Sequence, residues 1–185
     1  RKIENEKVSW DYSAITSGIK NYLVPLENIF RFGLPQGSSL LDRFTEDPNY
    51  AQTLGLKGSA PEGSWLPRPV MEFSTKLEPG DRYMKPEEAF SISGLYKEEF
   101  QEIQDLTFLT ALFLMNLFSK VGVDLWDGKV EFLKINELVM GDSVTPDELR
   151  LLKNGVQISK EPLRQYYKKF QPDFANNANK AKKIA

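Results

Sequence analysis

The chain has no cysteine and no histidine among its 185 residues. The first absence excludes disulfides, thiolate nucleophiles and cysteine-held zinc or iron–sulfur centres. The second removes the commonest general base and the commonest nitrogen ligand, and with them a serine–histidine–carboxylate triad. Any metal handled here is therefore hard and oxygen-ligated, with Mg²⁺ or Mn²⁺ the natural candidates. Neither G-x-x-x-x-G-K-[ST] nor G-x-G-x-x-G occurs, so a nucleotide has to be held by other means. Long apolar runs are missing as well. The longest, FLTALFLMNLF at 108–118, is too short to span a bilayer, and no signal peptide is visible, so a cytoplasmic protein is expected. Neither sign of charge dominates: 24 basic against 26 acidic residues leave −2. That balance argues against a general nucleic-acid or anionic-membrane binder and still allows one local phosphate site.

What is present suits an ordinary globular domain, since 41% hydrophobic and 27% charged residues over this length allow a real core. Residues 1–20 are polar and mixed with no obvious first strand, and read as a linker or the remnant of a preceding lobe. Tyr22 to Phe32 is β-rich around Pro25, which predicts a strand with an edge or bulge at the proline. A loop from Gly33 to Ser39 precedes a helix at SSLLDRF, and residues 45–66 form a long Gly/Pro/Asp/Asn/Ser-rich connection. Then come a short strand, Val70–Thr75, a charged loop, Lys76–Lys85, and a helix start at Pro86. A long helix follows over Lys97–Lys120, and its nearly all-apolar second half predicts a buried core helix. Ser159 is placed to cap a final helix that ends before Pro172, and residues 173–185 read as a flexible tail.

Chemistry concentrates between Asp127 and Arg150, in DGKVEFLKINELVMGDSVTPDELR. Asp127-Gly128 is a turn dipeptide, and the KVEFLKI run after it alternates as a strand does. A period of two sends Asp127, Lys129 and Glu131 to one face. A second turn at Asn136-Glu137 brings Asp142 back beside that face. Thr145-Pro146-Asp147-Glu148 has the form of a capping box, which would set Arg150 in the second turn of a helix. Carboxylates grouped without histidine suit Mg²⁺ shared with nucleotide phosphates, and Glu131 and Asp142 are the best ligand candidates. Lys129 either neutralises Asp127 and Glu131 or touches a phosphate. A second candidate site joins Arg31 to the Gly37-Ser38-Ser39 turn, where a guanidinium fork, a hydroxyl and amides suit a phosphomonoester. A loop with a structural arginine is its plain alternative.

Several stretches resemble the phosphoribosylaminoimidazole-succinocarboxamide synthase (SAICAR synthetase) family. They are VPLENIFRFGLPQGSSLLDR at 24–43, LPRPVMEFSTKLEPGDRYM at 66–84, DGKVEF at 127–132 and GDSVTPDELR at 141–150. SKEPLRQYY at 159–167 is similar to the family's closing helix, and the likeness runs in order from Tyr22 to about Phe170, nearest to the archaeal-like branch. The resemblance implies an α+β, largely antiparallel, two-lobed ATP-binding fold, with residues 21–172 as the catalytic domain. It further implies a ligase joining the carboxylate of carboxyaminoimidazole ribotide (CAIR) to the amine of L-aspartate. ATP would activate that carboxylate as an acyl phosphate, with Mg²⁺ on the nucleotide. On this basis Arg31, Ser38 and Arg150 fall where the family grips the ribotide phosphate, and Ser39 is counted among the substrate-binding residues. Glu131 and Asp142 fall where it holds nucleotide-bound magnesium. Lys129 and Asp147 match positions lining the ribotide site, Glu27 matches the acidic residue of its motif near the substrates, and Lys76 and Asp81 match the loop beside the reacting groups. Homo-oligomerisation is common in such enzymes. Nothing in 1–20 matches the family's Gly-Lys-containing ATP loop, so a non-catalytic ribotide- or nucleotide-binding relative, or a fragment acting as a binding module, stands as the alternative.

Overall fold

The computed structural model describes residues 2–4 and 7–184. It opens on a small hairpin, β1 (Lys2–Glu4) with β2 (Lys7–Ser9), where the sequence had suggested no strand. The irregularity expected at Pro25 is a full break rather than an edge or bulge, leaving β3 (Tyr22–Leu23) and β4 (Leu26–Gly33) in different sheets. Next come α1 (Ser39–Glu46), the single turn α2 (Tyr50–Thr53), β5 (Trp65–Thr75) and β6 (Tyr83–Met84). Two helices follow, α3 (Pro86–Ser93) and α4 (Lys97–Ser119), then β7 (Asp124–Val130), β8 (Phe132–Lys134) and β9 (Leu138–Met140). A 3-10 turn, Pro146–Glu148, leads into β10 (Leu149–Lys153) and β11 (Val156–Gln157), and α5 (Glu161–Phe170) and α6 (Pro172–Ile184) close the chain. No described helix is long and apolar enough to cross a membrane.

Six strands form one antiparallel sheet in the order β11-β10-β7-β4-β5-β6, and β3-β8-β9 extend it as a second, three-stranded sheet. The α+β class and antiparallel pairing are as expected. One face packs on α3 and α4 through two apolar clusters, around Phe73, Phe100 and Phe132 and around Phe30, Leu125 and Leu149. Each such aromatic, almost wholly buried, is worth about 1.5–3 kcal/mol of transfer free energy. The opposite face carries α1 and α2 at one side, over Leu40, Leu66 and Val70. The rest of that face carries charge.

Strand β7 holds the decisive irregularity. Arg150 pairs with Asp127, but Leu151 pairs with Leu125, so Trp126 is an extra residue in the ladder. Before it, Val123 and Leu125 face α4; after it, Gly128 lies against Phe30 and Leu149 in the same layer. The bulge therefore turns Asp127 and Lys129 away from the helices.

Four expectations are corrected. Asp127-Gly128 is not a turn but lies inside β7, opposite Arg31 and Phe30. A Cβ on Gly128 would sit 2.5 Å from Leu149 Cδ2 and 2.6 Å from Phe30 Cζ, so glycine serves close packing there. Thr145 opens no α-helix, and its side chain makes no cap bond. Burial of Leu149 and Leu151 on either side of half-exposed Arg150 imposes the strand period, so Arg150 stands on β10. Helix α4 buries Phe100, Ile103, Thr107, Ala111 and Leu114 against the sheet, while Leu109, Phe113 and Leu117 face outward at 62%, 66% and 47% exposure. One sheet covers one helix face, so apolar content all round did not mean burial all round. Residues 173–185 read as a flexible tail, but up to Ile184 they lie in α6 (Pro172–Ile184), whose Phe174 packs on Tyr167 of α5.

Candidate functional site

The charged side of the sheet encloses a cavity of about 220 Å³. Strand β4 supplies Glu27, Ile29 and Arg31 at alternate positions, and β7 supplies Asp127 and Lys129. Arg150 comes from β10, Asp147 and Glu148 from the 3-10 turn, and Asp81 and Tyr83 from the loop that enters β6. Ser39 heads α1, and Ser159, Lys160 and Arg164 come from the start of the closing helix. Five cations (Arg31, Lys129, Arg150, Lys160, Arg164) face five acids (Glu27, Asp81, Asp127, Asp147, Glu148). The lining is thus balanced overall but segregated, which suits ligands with distinct anionic and cationic parts better than a polyanion.

At one end the arginines gather. Arg31 is 3% exposed and all of its N–H groups have acceptors. Its Nε donates to Glu72 at 2.5 Å, Nη1 to Asp127 at 2.7 Å and Ser38 at 3.5 Å, and Nη2 to Tyr83 at 3.2 Å and Ser39 at 3.3 Å. Burial alone would lower the Arg31 pKa, but Glu72 and Asp127 outweigh it and raise it above the ordinary arginine value. Arg150 is half-open to solvent: Nη1 donates to Asp127 at 3.0 Å and Nη2 to the Gly37 carbonyl at 3.2 Å. Gly37 has φ +74, the left-handed conformation that lets the 35–38 turn present this carbonyl. Ser38 stands at the N-cap of α1 without capping it, because its hydroxyl turns to Arg31.

At the other end lysines and glutamates alternate. Lys129 pairs with Glu27, with Glu148 at 3.3 Å and with Glu131 at 3.6 Å. Its pKa is pulled down by burial and pushed up more strongly by Glu27, Glu148 and Glu131, for a net rise above the usual lysine value. Lys76 Nζ is 2.6 Å from Glu131 and 3.7 Å from Glu27. The Glu131 carbonyl accepts from Gly141 N at 2.8 Å, which sets Asp142 next to Glu131 at the open end of the β8–β9 hairpin.

Of the residues singled out from the sequence, Glu27, Arg31, Ser39, Asp81, Lys129, Asp147 and Arg150 line one cavity. Ser38 lies beneath it, and Glu131 and Lys76 border it through Lys129 and Glu27. Asp142 does not line it and hydrogen-bonds to Ser143 N at 2.7 Å. Sequence reasoning missed Tyr83, Glu148, Lys160 and Arg164. Ser159, expected to cap the closing helix, does not. The residue before α5 is Lys160, and the buried Ser159 hydroxyl has no hydrogen-bond partner among the described residues. Glu72 was missed too, although a lone acid inside the apolar VMEF run is itself a signal, since unpaired acids are almost never fully buried.

Fold and cavity together define an α+β domain with a charged cavity of small-molecule size. The chain belongs to the SAICAR synthetase family, whose model matches residues 9–181. A provisionally named phosphoribosylaminoimidazole-succinocarboxamide synthase of Archaeoglobus fulgidus is 42% identical over 162 residues, 86% of this chain and 49% of that protein. The phosphoribosylaminoimidazole-succinocarboxamide synthase of Thermoplasma volcanium is 35% identical over 83% of this chain and 55% of its own. The chain thus spans about half the length of these curated relatives. Among solved structures, SAICAR synthetase from Pyrococcus horikoshii superposes with a TM-score of 0.65 at 24% identity, over 89% of this chain and 66% of that one. A SAICAR synthetase in complex with ADP matches equally, at 0.65 and 24%, over 89% and 64%. These two likenesses establish the fold.

Proposed function

We propose that this chain supplies the substrate-holding part of an ATP-dependent ligase that joins the CAIR carboxylate to the amine of L-aspartate, yielding SAICAR, ADP and phosphate for purine biosynthesis. The observation that carries the proposal is the meeting, in one cavity, of an arginine end and a lysine–glutamate end on a chain of this family. Residues 21–172 act as the catalytic domain, and the partners are small molecules rather than nucleic acid or membrane, in the cytoplasm.

Arg150, Arg31, Ser38 and Ser39 hold the ribotide phosphate. Arg31 has no idle donor, but three of its acceptors are the hydroxyls of Ser38, Ser39 and Tyr83. Hydroxyls rotate, so a phosphate can take over those bonds while the two carboxylate anchors stay in place. Lys129, Glu27 and Asp147 line the ribotide, and Lys76 and Asp81 stand at the reacting groups. CAIR carboxylate oxygen attacks the terminal phosphorus of ATP, releasing ADP. The aspartate amine then attacks the acyl carbon, a C–N bond forms, the C–O bond to phosphate breaks, and the nitrogen gives up a proton as phosphate leaves. Positioning and charge neutralisation dominate such a reaction, which is why it runs without histidine.

Glu131 and Asp142 fit a nucleotide-bound Mg²⁺. Among the described residues no group of three or more acids gathers to cage an ion, and Mg²⁺ is commonly held by one or two carboxylates plus phosphates. Glu131 is 5% exposed with Lys76 as counter-cation, so its carboxylate is already set to receive positive charge. When bound, the ion would neutralise phosphate charge. The direct test uses the full-length protein with ATP, Mg²⁺, CAIR and aspartate: sustained ADP turnover should depend on aspartate, and the absence of aspartate-dependent turnover would sink the proposal.

A further inference from the structure

Behind the arginine end lies a carboxylate that does not line the cavity. The Glu72 side chain, on β5, has no measurable exposure. A charge so placed must be paired and fully hydrogen-bonded, and it is held from three directions. Arg31 Nε donates to it at 2.5 Å, Arg43 Nε and Nη2 at 2.9 Å each, and Tyr50 Oη at 2.8 Å. Arg43 belongs to α1 and Tyr50 to α2, so both helices are tied to the cavity floor at one carboxylate. The Arg43 guanidinium also lies 3.4 Å over the ring of Tyr83, whose hydroxyl meets Arg31 and Ser39.

The geometry fixes more than one side chain. Arg31 is stretched between Glu72 at Nε and Asp127 at Nη1, so its fork can neither rotate nor slide. The same Asp127 oxygen takes Arg150. Charges thus alternate along Arg43, Glu72, Arg31, Asp127 and Arg150, and three cations against two anions leave one positive charge over, at the end that opens to the cavity.

We infer that Glu72 is a positioning residue for the anion end of the site: it sets affinity for a phosphate group by fixing Arg31, and through Asp127 the place of Arg150. The inference rests on the reading of that end as the phosphate site, so the two are tested separately. The probe is ribose 5-phosphate, titrated calorimetrically into the full-length protein. Arg150→Ala examines the site itself: loss of binding supports the site, and unchanged binding overturns that reading whatever Glu72 does. With the site established, Glu72→Gln, which keeps shape and removes charge, should raise Kd about tenfold at unchanged stoichiometry, the change expected when a charged contact is misplaced. Tyr50→Phe removes one bond to Glu72 from outside the cavity and should raise Kd by a smaller factor while the protein stays folded. A merely structural Glu72 would lower the fraction of binding-competent protein and leave Kd alone. That result, or a wild-type Kd in both variants, overturns the inference. If Glu72→Gln does not fold, Tyr50→Phe decides: weaker binding supports it and an unchanged Kd overturns it.

Discussion

Asp127 and Arg150 face each other as cross-strand partners on β7 and β10, with Arg150 Nη1 3.0 Å from Asp127 Oδ2. Because Arg31 reaches the same oxygen at 2.7 Å from the strand on the other side, one carboxylate joins three adjacent strands. Asp127→Asn should therefore destabilise the domain by about 3–5 kcal/mol, the usual consequence of stripping one member from a buried ion pair. Chemical denaturation measures it. A loss below about 1 kcal/mol would show that the pair behaves like an exposed one.

Gly128→Ala tests the close approach of strand and core. The added methyl meets Leu149 and Phe30 at 2.5 and 2.6 Å, so the side chains must move, with an expected loss of about 1–3 kcal/mol. Thermal melting of the variant should show a lower midpoint and leave the secondary-structure content unchanged.

Ser159 gives the opposite signature. Its hydroxyl is buried without a partner among the described residues and lines the cavity. Ser159→Ala should leave stability unchanged or slightly higher, since an unpaired buried hydroxyl is a cost. It should weaken ribose 5-phosphate binding several-fold, about 1 kcal/mol, if that hydroxyl awaits the ligand. Equal affinity in a calorimetric titration would assign it no part in binding.

For Lys129 the pH dependence follows from sign. Its folded pKa lies above the ordinary value, so the stability it contributes is fully present below the unfolded lysine pKa of about 10.4 and is lost as pH rises through the higher folded value. The stability difference between wild type and Lys129→Met should be flat from roughly pH 7 to pH 9 and shrink only in stronger alkali. A difference that already shrinks near neutrality would mean that Glu27, Glu148 and Glu131 do not hold the charge.

Glu131→Gln and Asp142→Asn address the metal. Each should weaken Mg²⁺-dependent nucleotide binding by roughly tenfold while leaving metal-free binding of ribose 5-phosphate intact. Parallel titrations with and without Mg²⁺ separate the two. Identical losses under both conditions would remove Glu131 and Asp142 from the ion.

Alternation made part of this legible in advance. Asp127, Lys129 and Glu131 share a face because a strand repeats every two residues, and the break at Pro25 follows from its missing donor. The capping pattern at Thr145 misled because a local signal worth about 1 kcal/mol lost to the burial of two leucines. The Trp126 bulge left no trace in the residue types around it, since it exists only in the pairing of β7 with β10. Glu72 needed partners 41, 29 and 22 positions away, and no local window contains them.

The bulge carries a last consequence, for length rather than chemistry. With Trp126 out of the ladder, β7 presents leucine to the helices on one side of it and aspartate and lysine to the cavity on the other. Deleting a residue of the paired run beyond it, such as Gly128, would exchange the faces past the cut, driving Lys129 into the apolar layer and Val130 out of it, whereas losing Trp126 itself would only close the bulge and leave Leu125 inward and Asp127 outward. Substitutions along β7 act one at a time. A one-residue change in the paired run would act on the cavity wall and the core together, and the position of Trp126 is where β7 can lose a residue without that exchange.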